Sequence, residues 1–554
     1  VYNKNNLKKW SVTFMQGKWK KWVRGMSALF ALTLILAACG GSQSGEKVLN
    51  IAREIPSDTI NYLLNDSAHN SQIISNFSEG LTTYDKDGKL TEGLAESWSN
   101  NDNVYTFTLR PNLKWSDETP LTAADFVFGW QTLATLPEAP YAYFMNDIQN
   151  GEAVVAGDKP ASELGIKAVD DRTVEVTFVQ DRPYLLEMLV HTTFLPLNEA
   201  FYNRVGADQY GTSPETLLAS GAFKLTEYSP SSEYVMTKNP HYWNAEHIAL
   251  DKVNTRIIKE SATQDTLYES NELDVIEVTA NLYDKYKDKS GIVDIPTAGL
   301  YYFYVSGTTA TPAPAFSNAD FRRAVGYAVD KKVLAEKVFK DGTKPLDYLI
   351  PTNFGNVNGK SYREFTGEGV NDKYKFDAAK AKEYLEKAKG ALSETDLSFR
   401  IVYPEKEEHR RVFENVVSQL ETNLPGVKIE LVSIPGQTYY KDLAKFETPS
   451  GYSGWAPDYN DVATYFETFV TGNSLNFSAY SNKEYDRLYE EAQAEKDGIK
   501  RGELFQQAEK ILLDDGVIVP LAQKGKRYAV HEKVKGFNYN SISPEIDFRY
   551  ISVS

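Results

Sequence analysis

One cysteine, Cys39, stands in 554 residues. An intramolecular disulfide and a cysteine-based zinc site are therefore both excluded. Histidine is nearly as scarce. His69, His191, His241, His247, His409 and His531 are the only six, no two fall at His-x-x-x-His spacing, and there is no His-Glu-x-x-His. Gly355-Asn356-Val357-Asn358-Gly359-Lys360-Ser361 has three residues between its glycines where a phosphate loop needs four, so it reads as a turn. Gly451-Tyr452-Ser453-Gly454 lacks the Gly-x-Ser-x-Gly spacing of a nucleophile elbow. Paired carboxylates are too common in so acidic a chain to mark a site. No metal ligands, nucleophile or acid–base pair have the spacing their chemistry requires. The sequence is therefore read as that of a protein that is not an enzyme and needs no cofactor or metal.

Basic residues are also missing where nucleic acid would need them. Residues 1–38 hold seven Lys or Arg and no acid; the remainder carries 53 of the 60 bases against all 76 acids, a formal charge of −23. A body of that sign does not bind nucleic acid through bulk electrostatics. Tyrosine, by contrast, is plentiful, at 35 residues. Its amphipathic ring suits both strands and binding surfaces.

The chain has no long apolar run. Ala28 to Ala38 is its most apolar stretch, shorter than the roughly 20 residues a spanning helix needs. The basic stretch Lys18, Lys20, Lys21, Arg24 precedes it, and the small residues of Leu36-Ala37-Ala38-Cys39-Gly40 follow. Basic region, apolar region and small residues before a cut site make a secretory signal, expected over 1–38. The signal is complete from Met15 onward, which makes Met15 the expected start. Leu36-Ala37-Ala38-Cys39 resembles the bacterial lipobox, in which the cysteine thiol takes a diacylglyceryl group. Two acyl chains, at about 0.8 kcal/mol per buried CH₂, anchor stably where one does not. The resemblance implies lipidation at Cys39, with 39–45 as lipidated residue and flexible tether.

From Val48 strands and helices alternate. Val48 to Ala52 and Asn103 to Arg110 read as strands, and Lys167 to Phe178 as a strand pair around Asp170-Asp171. Thr122 is a helix N-cap with Asp125 at N3, and Asp377 caps a helix from Ala378 to Ala388. His409 to Leu424 and Asn482 to Leu513 have helical periodicity. Leu397 to Tyr403, Val427 to Ile434 and Val517 to Leu521 are strand-like. The fold class is α/β.

Phe77 to Trp130 contains Glu79-Gly80-Leu81, Asp87 to Trp98, Tyr105 to Arg110 and Lys114 to Phe126 in order. Gly221-Ala222-Phe223, Asn239-Pro240-His241-Tyr242-Trp243, Phe321 to Asp330 and Gly454-Trp455-Ala456-Pro457-Asp458-Tyr459 follow. This ordered set is similar to the bacterial extracellular solute-binding proteins of family 5, the oligopeptide-binding lipoproteins of ABC transporters, over residues 46–554. The resemblance implies a two-lobed, class II periplasmic-binding-protein-like fold with an inserted domain and a cleft closed by a hinge. Lobe I would combine 46–78, 214–298 and 518–554; the inserted domain would be 79–213 and lobe II 299–517. The implied protein is a monomeric peptide receptor, lipid-anchored on the extracellular face of the cell membrane and partnered by ABC permease subunits.

A receptor for many peptides must bind what peptides share, the main chain and the charged N-terminus. In the family the Gly-Trp-x-x-Asp segment supplies backbone contacts and its Asp pairs with the ligand α-amino group. This carries to Gly454, Trp455, Ala456 and Asp458, with a turn role before Tyr459-Asn460-Asp461 as the alternative for Asp458. An enclosed ammonium needs an opposite charge. A second backbone-contact segment maps near Ser67-Ala68-His69, at Ala68. Tyr302 and Tyr304 match an aromatic crossover strand lining the site, with core packing as the alternative, and Tyr141 is a further pocket candidate. His409 matches a family histidine at the ligand carboxylate. Family members that prefer short peptides hold Arg where this chain has Tyr452, so longer peptides, signalling peptides included, enter the expected range. The competing readings are a nickel-chelate or haem receptor of the same fold, and a surface peptidase on another α/β scaffold.

Overall fold

The computed structural model describes residues 45–305, 313–367, 374–392, 397–445, 450–538, 540 and 545–554, with backbone alone at 437, 440 and 444. Residues 1–38, Cys39 and Gly40 to Ser44 of the tether lie outside the described residues. Lys47–Ser554 is a unit by itself. No described helix is long and apolar enough to cross a membrane.

An eleven-stranded mixed sheet runs through this unit. One end carries Phe223–Ser229, Glu233–Lys238, Lys252–Ile257, Val48–Arg53 and Val275–Glu277; the other carries Ser450–Trp455, Ser398–Pro404 and Lys428–Ile434. Two long antiparallel strands, Ile292–Val305 and Ile518–Val530, join the ends. Near one end Ile292 to Ile295 pair with Ala529 to Lys526; near the other Leu300 to Tyr304 pair with Gln523 to Ile518. The register shifts between Pro296 and Leu300 and again between Tyr301 and Tyr302. Pro296 has no N–H to give the ladder. Gly525 opposite is forced small, since a Cβ there would lie 2.2 Å from the Gly342 carbonyl oxygen. The sheet is thus interrupted where the two lobes meet. The expected lobe boundary at 298/299 falls inside the first linking strand.

A four-stranded antiparallel sheet, Ala95–Asn101, Val104–Leu109, Thr173–Thr177 and Ile166–Asp170, sits within 79–213. Val104–Leu109 alternates half-buried and buried residues, the period-2 pattern of a strand with one face on a core. Helix Ala123–Thr135 packs on this sheet and starts with the expected capping box of Thr122 and Asp125. Phe107, Phe126, Trp130 and Phe178 are fully buried between them.

Two elements differ from the sequence reading. Asn482 to Leu513 is two helices, Lys483–Ala494 and Gly498–Asp515, because the Asp497 side chain accepts from Ile499 and Lys500 N–H and starts the second one afresh. The strand expected over Val517 to Leu521 continues to Val530. Its extension, with Gln523, Lys524, Gly525, Lys526 and Arg527, has no alternation to read. It is a strand because Ile292–Val305 pairs along it. The turn at Gly355 to Ser361 is as expected: Val357 and Lys360 bond both ways around Asn358 and Gly359, which both have positive φ.

Candidate functional site

Strand Ser450–Trp455 pairs with the first linking strand, placing Gly454 opposite Tyr301 and Trp455 opposite Leu300. A Cβ at Gly454 would stand 2.7 Å from the Leu300 carbonyl oxygen, so the strands approach this closely only with glycine there. The chain then leaves the sheet through Ala456 and Pro457, and the loop it enters is pinned on several sides. The Trp455 indole N–H donates to Thr464 Oγ1 (3.0 Å). The Gly355 N–H donates to Asn460 Oδ1 (3.1 Å). Tyr459 stacks on Tyr184 with ring centroids 4.9 Å apart. Asp461 takes the helix-starting N–H of Ala463 (2.8 Å) and a two-armed bond from buried Arg501 (2.7 and 2.8 Å).

Asp461 therefore fills the capping role in this turn. The Asp458 carboxylate, four residues from that helix, has no hydrogen-bond donor or cation against it among the described residues. Burial alone pushes its carboxyl up to about 6. Burial first, and then the Asp458 charge, push the Glu467 carboxyl up to about 8.

From the 79–213 segment an aromatic group faces this acid. Tyr141 lies 4.7 Å from the His191 ring, 5.6 Å from Phe144 and 5.9 Å from Tyr143. Burial first, then the Asp458 charge, and then that of Asp66 hold the Tyr141 hydroxyl up to about 12. Tyr143 feels Asp458 in the same way, yet its side chain is half exposed. A carboxylate without a partner, close enough to two tyrosines for its charge to act on their hydroxyls, is an arrangement suited to an ammonium group.

Asp66 leads into Ser67, which caps helix Ala68–Phe77. Ala68 is exposed at its first position. The next residue, His69, is held neutral, down to about 4, by burial and then by Arg53; its Nδ1 has no partner. Ala68 thus lies between the acidic end and a second, mixed-charge end.

That second end centres on Tyr301. Its hydroxyl donates to Glu408 Oε1 (2.8 Å), and its ring stacks on Phe339 (5.4 Å) and meets Tyr452 (5.5 Å). Tyr452 in turn meets His409 at 4.3 Å. The His409 ring is buried and held below its usual value by that burial; Nδ1 donates to the Pro404 carbonyl (3.1 Å). Glu408 is half-buried, but Lys406 at 3.2 Å and the Tyr301 hydroxyl outweigh that burial and hold it low. Glu54 is held above its usual value by partial burial first and then by Glu277, with Lys406 opposing and Glu408 adding.

Of the two tyrosines expected on the crossover strand, Tyr302 is buried beside Phe469 (6.0 Å) and bonds to Ser453. Tyr304 is 1% exposed, deep in the sheet opposite Gly451. It sits where the core-packing alternative puts it. The structure brings Asp458 and Tyr141 together at one end, and His409 and Tyr452 at the other. Tyr301, Tyr143, Glu467 and Lys524 join them without a motif of their own in the sequence. Only Tyr301 carried a signal, lying in the aromatic run Tyr301-Tyr302-Phe303-Tyr304.

The model of bacterial extracellular solute-binding proteins, family 5 Middle, matches residues 89–477. This chain belongs to family 5 of the bacterial extracellular solute-binding proteins. Among its family 5 relatives, dipeptide-binding protein DppE of Bacillus subtilis is 31% identical over 531 residues, 92% of this chain and 95% of the relative. The substrate-binding domain of an oligopeptide ABC transporter from Bacillus anthracis superposes with a TM-score of 0.76 at 32% identity, covering 92% of this chain and 99% of that one. OppA of Listeria monocytogenes bound to peptide does so at 0.74 and 28%, covering 92% and 100%. These family 5 structures share the two-lobed architecture of this chain.

Proposed function

We propose that this protein captures peptides in the cleft between its lobes and delivers them to the permease of an ABC transporter. The observation that carries the reading is Asp458: a desolvated carboxylate without a partner, facing Tyr141 and Tyr143 and presented by a pinned Gly-Trp-x-x-Asp segment. It would hold the peptide α-amino group, while the edges of Gly454 to Ala456 and the backbone around Ala68 bond to the peptide main chain. The relatives named for peptide binding support the same cargo. The reading assigns capture and release, with no bond of the peptide broken. In it, lobe I is 46–78, 214–298 and 518–554, the inserted domain 79–213 and lobe II 299–517, with hinge movement in the two linking strands.

Native mass spectrometry of the purified body, residues 46–554, tests this. Peptides of mixed sequence are expected to leave with the protein and to be released intact on denaturation. A body that carries none, and binds none from a peptide library, sinks the reading.

Lipid anchoring at Cys39 belongs to the proposal. It rests on Leu36-Ala37-Ala38-Cys39 and puts the receptor on the extracellular face of the membrane. Cys39→Ala is expected to move the protein from the membrane fraction to the medium, and to remove the mass of the lipid. Retention of Cys39→Ala in the membrane would refute the anchor.

A further inference from the structure

The second end of the cleft has Tyr452 where the short-peptide members of the family have arginine, and His409 does not restore the charge. Burial keeps its ring neutral. Its Nδ1 proton is committed to the Pro404 carbonyl, so Nε2 offers a lone pair and no proton. Lys406 pairs with Glu408 (3.2 Å), Lys526 with Glu277 (3.6 Å) and Glu545 (3.8 Å), and Arg53 with Glu545 (3.8 Å). Lys524 has no carboxylate at ion-pair distance and no hydrogen-bond partner for Nζ among the described residues.

The Lys524 side chain is also held in place. It leaves the second linking strand at the register break, where the Thr297 hydroxyl donates to the Lys524 carbonyl (3.0 Å) and takes the Gly299 N–H (3.2 Å). Its stem crosses Gly299: a Cβ there would lie 2.8 Å from Lys524 Cδ and 3.3 Å from Cγ. Nζ ends 4.3 Å above the centre of the Tyr301 ring. Tyr301 meets Tyr452, and Tyr452 meets His409. Glu408, the nearest acid in charge terms, is already bonded to Tyr301 and Lys406.

We infer that Lys524 is the cation of the cleft that receives a carboxylate of the bound peptide, either its C-terminus or an acidic side chain. This rests on the proposed capture of peptides. Lys524 is half-buried, and an ammonium resting on an aromatic face with no anion beside it has its charge only partly compensated; an incoming carboxylate completes it. Burial holds the Lys524 amine down to about 8 against the pull of Glu408, with Lys406 and Lys526 adding to the lowering and Glu545 opposing it. A bound carboxylate raises that value, so binding above pH 8 takes up protons. Affinity for carboxylate ligands then falls as pH rises from about 8 through the amine's raised, bound value.

The test uses three peptides of one parent sequence with a free N-terminus. One has a free C-terminus and no acidic residue, one is C-amidated with no acidic residue, and one is C-amidated with a single Glu. Calorimetry on wild type and Lys524→Met is expected to show a loss of about 10- to 100-fold for carboxylate peptides and none for the neutral amide. Loss confined to the free C-terminus identifies that group; loss confined to the Glu peptide identifies the side chain. Gly299→Ala, which pushes the stem aside without removing the charge, is expected to show the same pattern in weaker form. Wild type titrated at pH 8.5 in two buffers of different ionisation enthalpy needs no variant, and is expected to show more proton uptake with the carboxylate ligands than with the neutral amide, since uptake by the α-amino group is common to all three. Equal losses for all three peptides, or no selective loss and no excess uptake with the carboxylate ligands, overturn the role of Lys524 and leave peptide capture standing. A wild type that binds none of them overturns both.

Discussion

Asp458→Asn is expected to weaken binding of peptides with a free amino terminus roughly 10- to 100-fold, and to leave N-acetylated peptides almost unaffected. The substitution keeps the shape of the side chain and removes its charge. A charge-assisted hydrogen bond contributes about 1.5–3 kcal/mol, which sets the range. The Asp458 carboxyl is free of donors and cations among the described residues and is held up to about 6 by burial. An ammonium beside it favours the anion and lowers that value. The sign is fixed by this shift: binding releases protons near pH 6, is full above it, and is lost as pH falls. Glu467, at about 8 through burial and then Asp458, is drawn the same way by a cation. Calorimetry of free and acetylated forms on both proteins makes a double-mutant cycle. Equal losses for the two peptides would make Asp458 structural.

The other large effect is on folding. Glu509, on helix Gly498–Asp515, is wholly buried. It pairs with buried Arg363 and accepts the N–H groups of Leu349 (2.9 Å) and Ile350 (3.3 Å). Arg363 returns a bond to the Ile350 carbonyl (2.9 Å) and lies over the Tyr348 ring (4.3 Å). Glu509→Ala leaves an arginine charge without its counter-ion and two backbone donors without their acceptor. Removing one member of such a pair costs about 3–5 kcal/mol. Urea unfolding is expected to show that loss for Glu509→Ala, a smaller one for Glu509→Gln, and substantial recovery when Arg363→Met is combined with Glu509→Leu. A single Glu509→Ala with unchanged midpoint would mean that water or another group replaces the carboxylate.

Much of this protein was legible along the chain because the information was local. Thr122 with Asp125 and Asp377 before Ala378 start helices through bonds spanning two or three residues. Val104–Leu109 advertises its strand by alternation. Gly454 to Asp458 stood out as a motif, and its spacing carries over into one pinned loop. The far half of Ile518–Val530 was invisible for the opposite reason. Its residues are polar and interrupted by Gly525, and only pairing with a strand some 230 positions earlier, as in Ile292 with Ala529, makes it extended. The break inside 482–513 was local but weak, a single Asp-Gly step.

The sequence by itself determined the α/β class and the family, and it carries the expectations of an export signal before Cys39 and of a ligand role for the acid at 458. Each comes from residue order over short spans or from a motif with fixed spacing. Which charges are left without partners was decided by tertiary structure alone. Asp458 and Asp461 look alike in sequence, three residues apart. The fold gives Asp461 an arginine and a helix start, and leaves Asp458 facing Tyr141 and Tyr143. Lys524 and Lys526 look alike too, yet one reaches Glu277 and Glu545 while the other lies across Gly299 onto Tyr301. Desolvation and pairing depend on what the far ends of the chain bring alongside, and no local pattern encodes that.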